Sequence, residues 1–566
     1  MALPAAARSS WSWFWQRRDR VFAWSVPILF FVVGLFVYGH DLGSPEIKVF
    51  DEVHYLKASR AFSNGTLMNP DWGEPRPHNF EHPPLGKFWI ALSIHFLGDE
   101  PSSWRLPAVI YGALGLAGMA VLGRRLFDSH WAGLFAPLLL LLDPMWFVHS
   151  RLALLEVYVS APMIWAFAFA LGEWRWDRWA AAVAAGIGLA GKFSAVFLLP
   201  ALFILVFWRL VRHTSMMRAF AGGVLFAFGV PGLVYFVSHG PFLWEWAWQE
   251  GPLWALQHWA WLFKESLVWG AGGPQEHPEV TAPLYWIPMV RPTWYYVFWG
   301  DGKGLEQMVG LIYAIGNPVV WWGGLAFAFV VLTGPFLRTL TGLARADAVA
   351  GEGEEVVARF RADDRARWGS MGVAMLIFVF GYAPNFLLDR TTFLYYFMLA
   401  TPYLALMAGG GLAMLMGRAR KVEPVVDVEE RPVIVGHPLY TTEGPVEEGL
   451  LFSAGTPADL EREEPGWAET AAEAEAWDVP PMAGPVQEAP AGRPAEYAPP
   501  GEPPWMLTLF WRSAWPERIG VILFLAAAFG LFWYWRPLFT GDLYVREVVE
   551  EAWHLVPWLE RLLGPP

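Results

Sequence analysis

Residues Trp179 to Trp208 read WAAAVAAGIGLAGKFSAVFLLPALFILVFW, an apolar stretch in which Lys192 is the sole charged residue. A hydrocarbon core about 30 Å thick takes about 20 helical residues. The stretch is therefore either one long tilted helix or a pair of helices that turns at Gly191-Lys192. The choice decides on which side of the membrane every later loop lies. With two helices, Arg124/Arg125, Arg175/Arg178, Arg209/Arg212/Arg218, Arg338/Arg345 and Arg418/Arg420/Lys421 all fall on one side. That is the cytoplasmic excess of Lys and Arg expected of membrane proteins. With one helix the later clusters fall on the wrong side, so two helices are expected.

Further apolar runs lie at Val21–Tyr38, Leu106–Leu122, Trp131–Leu142, Leu152–Leu171, Ala219–Val237, Met308–Leu332, Met371–Leu388, Phe393–Met416 and Ile519–Trp535. Together they predict an all-α polytopic membrane protein with about 11 transmembrane helices, its amino terminus cytoplasmic and its carboxyl terminus outside. Composition agrees: 55% of residues are hydrophobic and 16% charged, which excludes an ordinary water-soluble domain. The 36 Trp residues crowd the ends of the runs, where indole suits the headgroup layer. With no Cys, disulfides, thiolate metal sites and a Cys nucleophile are excluded. Arg17, Arg18 and Arg20 precede the first run, which is too long for a signal peptide and lacks a small-residue cleavage site, so it reads as a retained helix.

Three parts follow. Residues 1–421 form a membrane catalytic module of helices 1–10, with outer loops 41–103 and 238–306 and juxtamembrane helices in the first of them. Residues 422–504 hold 18 acidic and 3 basic residues, more than the whole net charge of −13, and read as a disordered cytoplasmic linker. Residues 505–566 supply the last membrane helix and an outer amphipathic tail.

Polar chemistry concentrates on the outer side. Phe50-Asp51-Glu52-Val53-His54-Tyr55 places two carboxylates and an imidazole just after the first helix. Solvated acidic pairs are common in loops, but a carboxylate at the mouth of a membrane cavity can take the proton of an attacking hydroxyl. Glu81-His82-Pro83-Pro84-Leu85-Gly86-Lys87 is a proline-stiffened turn leading into apolar sequence. With Asp51, its Glu81 and His82 could ligate a divalent cation, although the spacing follows no compact metal motif. In His149-Ser150-Arg151-Leu152-Ala153-Leu154-Leu155-Glu156, Glu156 falls about a turn and a half into the membrane and needs a cationic partner such as Arg151 or Lys192. His277, Trp286, Arg291 and Tyr295 make a loop suited to sugar and phosphate contact, or to an ordinary interface segment. Arg390 adds a planar fork for a lipid phosphate.

In order along the chain, FDEVHY (50–55), EHPPLGK (81–87), SRLALLE (150–156), GKFS (191–194), HPEVTAPLYWIPMVRPTWYY (277–296), GNPVVWW (316–322) and RTTFLYYF (390–397) resemble the motifs of the protein O-mannosyltransferase family, from Phe50 to Ala405. The resemblance implies the GT-C glycosyltransferase architecture and inverting transfer of mannose from a polyprenyl-phosphate donor to Ser or Thr. It maps the family's acidic pair onto Asp51 and Glu52, its HPPLGK loop onto His82 to Lys87 and its Ser-Arg turn onto Ser150 and Arg151. Glu81 and Glu156 stand where the family commonly has Asp. The outer loop has no room for the soluble domain of eukaryotic members, so the chain resembles the prokaryotic branch.

The expected mechanism makes Asp51 the base, with Glu52 beside it in the catalytic pair. His54, Glu81, His82, Lys87 and Glu156 orient the acceptor, Arg151, Arg390 and Arg291 hold the donor phosphate, and His277, Trp286 and Tyr295 contact sugar or lipid. No cofactor is required, although a divalent metal on Asp51, Glu81 and His82 is an alternative. The expected partners are the lipid-linked donor, a protein acceptor, membrane lipids and the export machinery, with no nucleic acid; the expected location is the plasma membrane. Rival readings are a related enzyme acting on a lipid or cell-wall polymer, and a transporter or flippase. A transporter should show internal repeats and midplane polar groups, and the chain shows neither pattern.

Overall fold

A computed structural model describes residues 23–69, 76–270, 272–273, 279–303, 307–341, 354–417 and 515–553. The acidic segment 422–504, Arg17 to Arg20 and His277 lie outside these residues.

Helix α1 (Ala23–Gly39) is followed by two further helices, α2 (Glu52–Ser63) and α3 (Leu85–Leu97). The apolar core continues through α4 (Pro101–Phe127), α5 (His130–Leu141), the short α6 (Pro144–His149) and α7 (Val157–Ala170). Two of these starts have side-chain caps. Ser129 accepts from the Ala132 amide at 3.4 Å and Asp143 from the Trp146 amide at 3.2 Å, which satisfies donors a helix start leaves open.

The run from Trp179 to Trp208 breaks where expected. Helix α8 (Asp177–Gly191) ends, Lys192 is extended at φ −154°, ψ 139°, and a 3-10 turn over Phe193–Leu198 leads into α9 (Leu199–Val211). Gly191 is needed for packing: a Cβ there would stand 2.6 Å from the Tyr158 carbonyl oxygen of α7. This close approach of α8 to α7 sets Lys192 beside Glu156.

After α10 (Met216–Val224) a π-helical turn leads into α11 (Val230–Ser238). The chain then folds as a hairpin, α12 (Gly240–Glu250) and α13 (Pro252–Gly270), joined at Gly251. Its inner face packs Phe242, Trp246 and Leu262 against Phe62 and Ala91 of α2 and α3.

Sheet structure appears where the apolar pattern suggested helix. Met308–Ala314, the start of the run expected to span the membrane, is strand β2, pairing antiparallel with β1 (Thr293–Trp299). The helix α14 (Pro318–Thr341) begins only at Pro318, because β1 supplies backbone hydrogen-bond partners to the preceding residues, of which Val309 to Ile312 are all buried. Helices α15 (Glu354–Tyr382), α16 (Thr401–Gly417) and α17 (Trp515–Tyr534) complete the bundle. The chain then returns to the sheet as β3 (Leu543–Val545) against β2, and ends its described part in α18 (Arg546–Trp553).

Among the described residues, five helical segments are long and apolar enough to cross a membrane by length and composition, including Pro101–Phe127, Met216–Ser238 and Trp515–Tyr534. Shorter apolar helices pack with them around one core. The chain is a multi-pass, mostly helical membrane protein.

Candidate active site

The two carboxylates of the Asp51-Glu52 pair have different surroundings. Glu52 is fully buried, with one oxygen accepting from Arg105 Nε at 2.9 Å and the Ala153 amide at 2.9 Å. Its other oxygen accepts from Arg105 Nη2 at 3.0 Å and the Val49 amide at 2.9 Å. Arg105, on α4, is equally buried and also donates to the carbonyls of Leu42, Pro45 and Ile47. Glu52 therefore joins the segment before α2 to α4 and the 150–156 turn. Its two oxygens thus accept four bonds, which hold this segment in place.

Asp51 is half-buried at the start of α2 and makes no capping bond. Its hydrogen bond among the described residues comes from the Tyr55 hydroxyl, at 3.3 Å. Around it stand the ion-paired Glu156 and Lys192, with His54 exposed one turn away. Burial raises the Asp51 carboxyl above the usual range and Glu156 raises it further, while Lys192, His54 and the Tyr55 hydrogen bond oppose the shift. The Lys192 ammonium also lies 5.8 Å from the ring centres of Tyr395 and of Tyr396. Arg390 donates to the Tyr396 hydroxyl at 2.9 Å, its guanidinium 5.3 Å from that ring. A carboxylate, two cations and phenol hydroxyls thus converge from α2, the α8–α9 break and the 390–396 segment.

The Glu81-Lys87 turn adjoins this group. His82 sets its ring edge to Tyr55 at 5.7 Å, and burial holds its imidazole well below its ordinary value. Glu81 accepts from Asn79 Nδ2 at 3.1 Å. Lys87 is buried and donates to the carbonyls of Asn79, of His82 at 2.8 Å and of His78 at 3.5 Å, so it holds the turn together and presents no charge to a ligand. Among the described residues, no three His, Asp or Glu side chains gather in a metal-holding group.

Other candidates are placed elsewhere. Arg151 donates to the carbonyls of His40 at 2.6 Å and Asp41 at 3.0 Å, holding the end of α1 instead of facing Asp51. Trp286 is fully buried, its Nε1 donating to Thr281 O at 3.0 Å among Tyr382, Tyr396 and Phe397, so its ring offers no face to a sugar. Tyr295 is buried, its hydroxyl 3.0 Å from His149 Nε2. Arg291 sits half-buried in the turn before β1. Arg105 and Tyr396 were not singled out from sequence. An Arg at the start of a membrane helix was a signal for the first, since a charge there needs a partner.

Residues 81–235 match the family described as dolichyl-phosphate-mannose-protein mannosyltransferase, and residues 251–437 match the C-terminal four-transmembrane region of protein O-mannosyltransferase. The polyprenol-phosphate-mannose–protein mannosyltransferase of Mycolicibacterium smegmatis is 25% identical over 465 residues, covering 70% of this chain and 83% of that protein. The Corynebacterium glutamicum protein of the same name is 26% identical over 385 residues, 54% of this chain and 71% of its own. In fold, the chain is similar to the Saccharomyces cerevisiae protein O-mannosyltransferase Pmt1-Pmt2 complex bound to the sugar donor. The TM-score is 0.59 at 13% identity, covering 93% of this chain and 91% of that one.

Proposed function

This chain belongs to the protein O-mannosyltransferase family of GT-C membrane glycosyltransferases, and on that premise we propose that it moves mannose from a polyprenyl-phosphate donor to Ser or Thr hydroxyls of exported proteins. Transfer takes place at the outer membrane face, with inversion. The acceptor oxygen attacks the anomeric carbon as its proton passes to Asp51. The bond from that carbon to the phosphate oxygen breaks, and the phosphate leaves with the electron pair.

The observation that carries this reading is an undersaturated carboxylate, Asp51, in the field of Lys192, with Tyr396 lying against both Lys192 and Arg390. A half-buried base raised above the usual carboxylate range is better matched to taking a proton at neutral pH. Phosphate is already a competent leaving group, so stabilising its charge matters more than protonating it, and no cofactor is required. Lys192 and Arg390 hold that charge. Glu52, Arg105, Arg151 and Lys87 support the loops that carry the base. Acceptors reach this face from the export machinery.

The test is transfer of radiolabelled mannose from polyprenyl-phosphate mannose to Ser/Thr-rich peptides by reconstituted protein, beside peptides with those residues replaced by Ala. Label only in hydroxyl-bearing peptides supports the reading; donor bound but no peptide labelled contradicts the protein acceptor. The side is testable because the chain lacks Cys. A lone cysteine from Lys57→Cys, exposed on α2, should react with an impermeant maleimide in intact cells, and protection until lysis would contradict the outer-face assignment.

A further inference from the structure

Phe50 adopts φ 49°, the left-handed region that a bulky L residue seldom occupies. Its ring stacks on Tyr295 at 4.2 Å with an interplanar angle of 17°, and meets Tyr395 edge-on at 5.3 Å. Tyr295 lies at an irregularity in the sheet. The β1–β2 register runs Trp294 to Tyr313 and then Tyr296 to Ile312, so Tyr295 is the extra residue of a β-bulge. With Thr293 buried and Trp294 exposed, Tyr295 faces inward, where its hydroxyl meets His149 on α6.

Three chain segments distant in sequence, 49–52, 293–299 and 394–399, thus close on one ring. On the far side of Asp51, Glu52 is fixed by its four bonds. Asp51 is the residue between these two anchors, and its own side chain makes no cap. A ring serving only to fill the core would not need the left-handed backbone at Phe50. That backbone follows if the ring's position sets the direction in which the next residue points.

We propose that Phe50 is a positioning residue for the reaction, its ring clamped by Tyr295 and Tyr395 so that the Asp51 carboxylate is aimed at the acceptor hydroxyl. The assignment rests on the protein mannosyltransferase reading given above. Because Phe50 and Tyr295 act on the base, their substitution changes turnover far more than donor binding.

The experiment measures kcat and donor KM for wild type, Phe50→Leu, Phe50→Tyr and Tyr295→Leu, each reconstituted and normalised to folded protein by size-exclusion chromatography. A misaimed base costs on the order of 10²-fold. Phe50→Leu and Tyr295→Leu are expected to lose kcat on that scale with donor KM within about threefold. Phe50→Tyr keeps the aromatic face and recovers most of the loss. Should Phe50→Leu fail to fold, Tyr295→Leu against Phe50→Tyr carries the same comparison. Wild-type kcat in either Leu variant, or a loss that falls on KM, overturns the clamp while the mannosyltransferase reading stands. Wild type that labels no peptide overturns both.

Discussion

Asp51 and Glu52 are neighbours in sequence and opposites in structure. Glu52 takes four hydrogen bonds, two from one buried guanidinium, and has no exposed surface. Asp51 takes one long bond from a phenol and stands between an ion pair and an exposed imidazole. A carboxylate whose lone pairs are all engaged is scaffold, and one left undersatisfied beside cations has capacity to accept a proton. Adjacent residues on a helix start point about 100° apart, which is enough to send one into the core and the other into the site.

The largest expected effect separates the two by activity. Asp51→Asn removes the base while nearly preserving shape, and should lower kcat by about 10²- to 10⁴-fold with unfolding unchanged. An unaltered rate in a transfer assay would erase the distinction. At Glu52 and Arg105 the expected loss is of stability. Arg105→Met leaves a buried carboxylate without its partner, at a cost of about 3–5 kcal/mol, seen as loss of folded protein in detergent. Adding Glu52→Gln should recover part of that, because the pair's desolvation no longer has to be offset. If the double variant is no better than the single, the pair is not the unit described here.

A smaller effect concerns pH. The base works ionised, so a raised Asp51 places the acidic limb of the pH–rate profile above that of an ordinary carboxylate. Lys192 favours the ionised form; Lys192→Met removes that and leaves Glu156 unopposed, so the limb should move to higher pH. A limb moving to lower pH would put the titrating group elsewhere. The smallest effect tests the sheet that carries Tyr295. Gly541 has φ 78° and donates its amide to Leu311 O at 2.9 Å as the carboxyl-terminal strand joins β2. Gly541→Ala should cost about 1 kcal/mol or more of unfolding free energy, from the left-handed conformation and from a Cβ that would stand 3.0 Å from Ile312 Cδ1.

Much of this was legible in the sequence. The break at Gly191-Lys192, the need of Glu156 for a cation, and the nearness of EHPPLGK to the acidic pair all followed from hydropathy, charge cost and proline. Strand β2 was not legible, because the apolar run Met308 to Leu332 looks alike as strand or helix until a partner is known. Nor could sequence divide the labour among the charged residues. Arg151 looks like a phosphate-binding cation and Lys87 like an acceptor-orienting one, yet each is occupied by backbone carbonyls of nearby turns. Trp286 looks like a sugar platform and is buried among aromatics. Those distinctions depend on which neighbour arrives from far along the chain.

On the proposed reading, Asp51 is the acceptor base. Its most direct test is a single-turnover measurement at saturating polyprenyl-phosphate mannose, with donor affinity measured on the same preparations of wild type and Asp51→Asn. The account predicts equal donor affinity within a few-fold and transfer slowed by at least about 10²-fold in the variant. Equal donor affinity with transfer at the wild-type rate would contradict it.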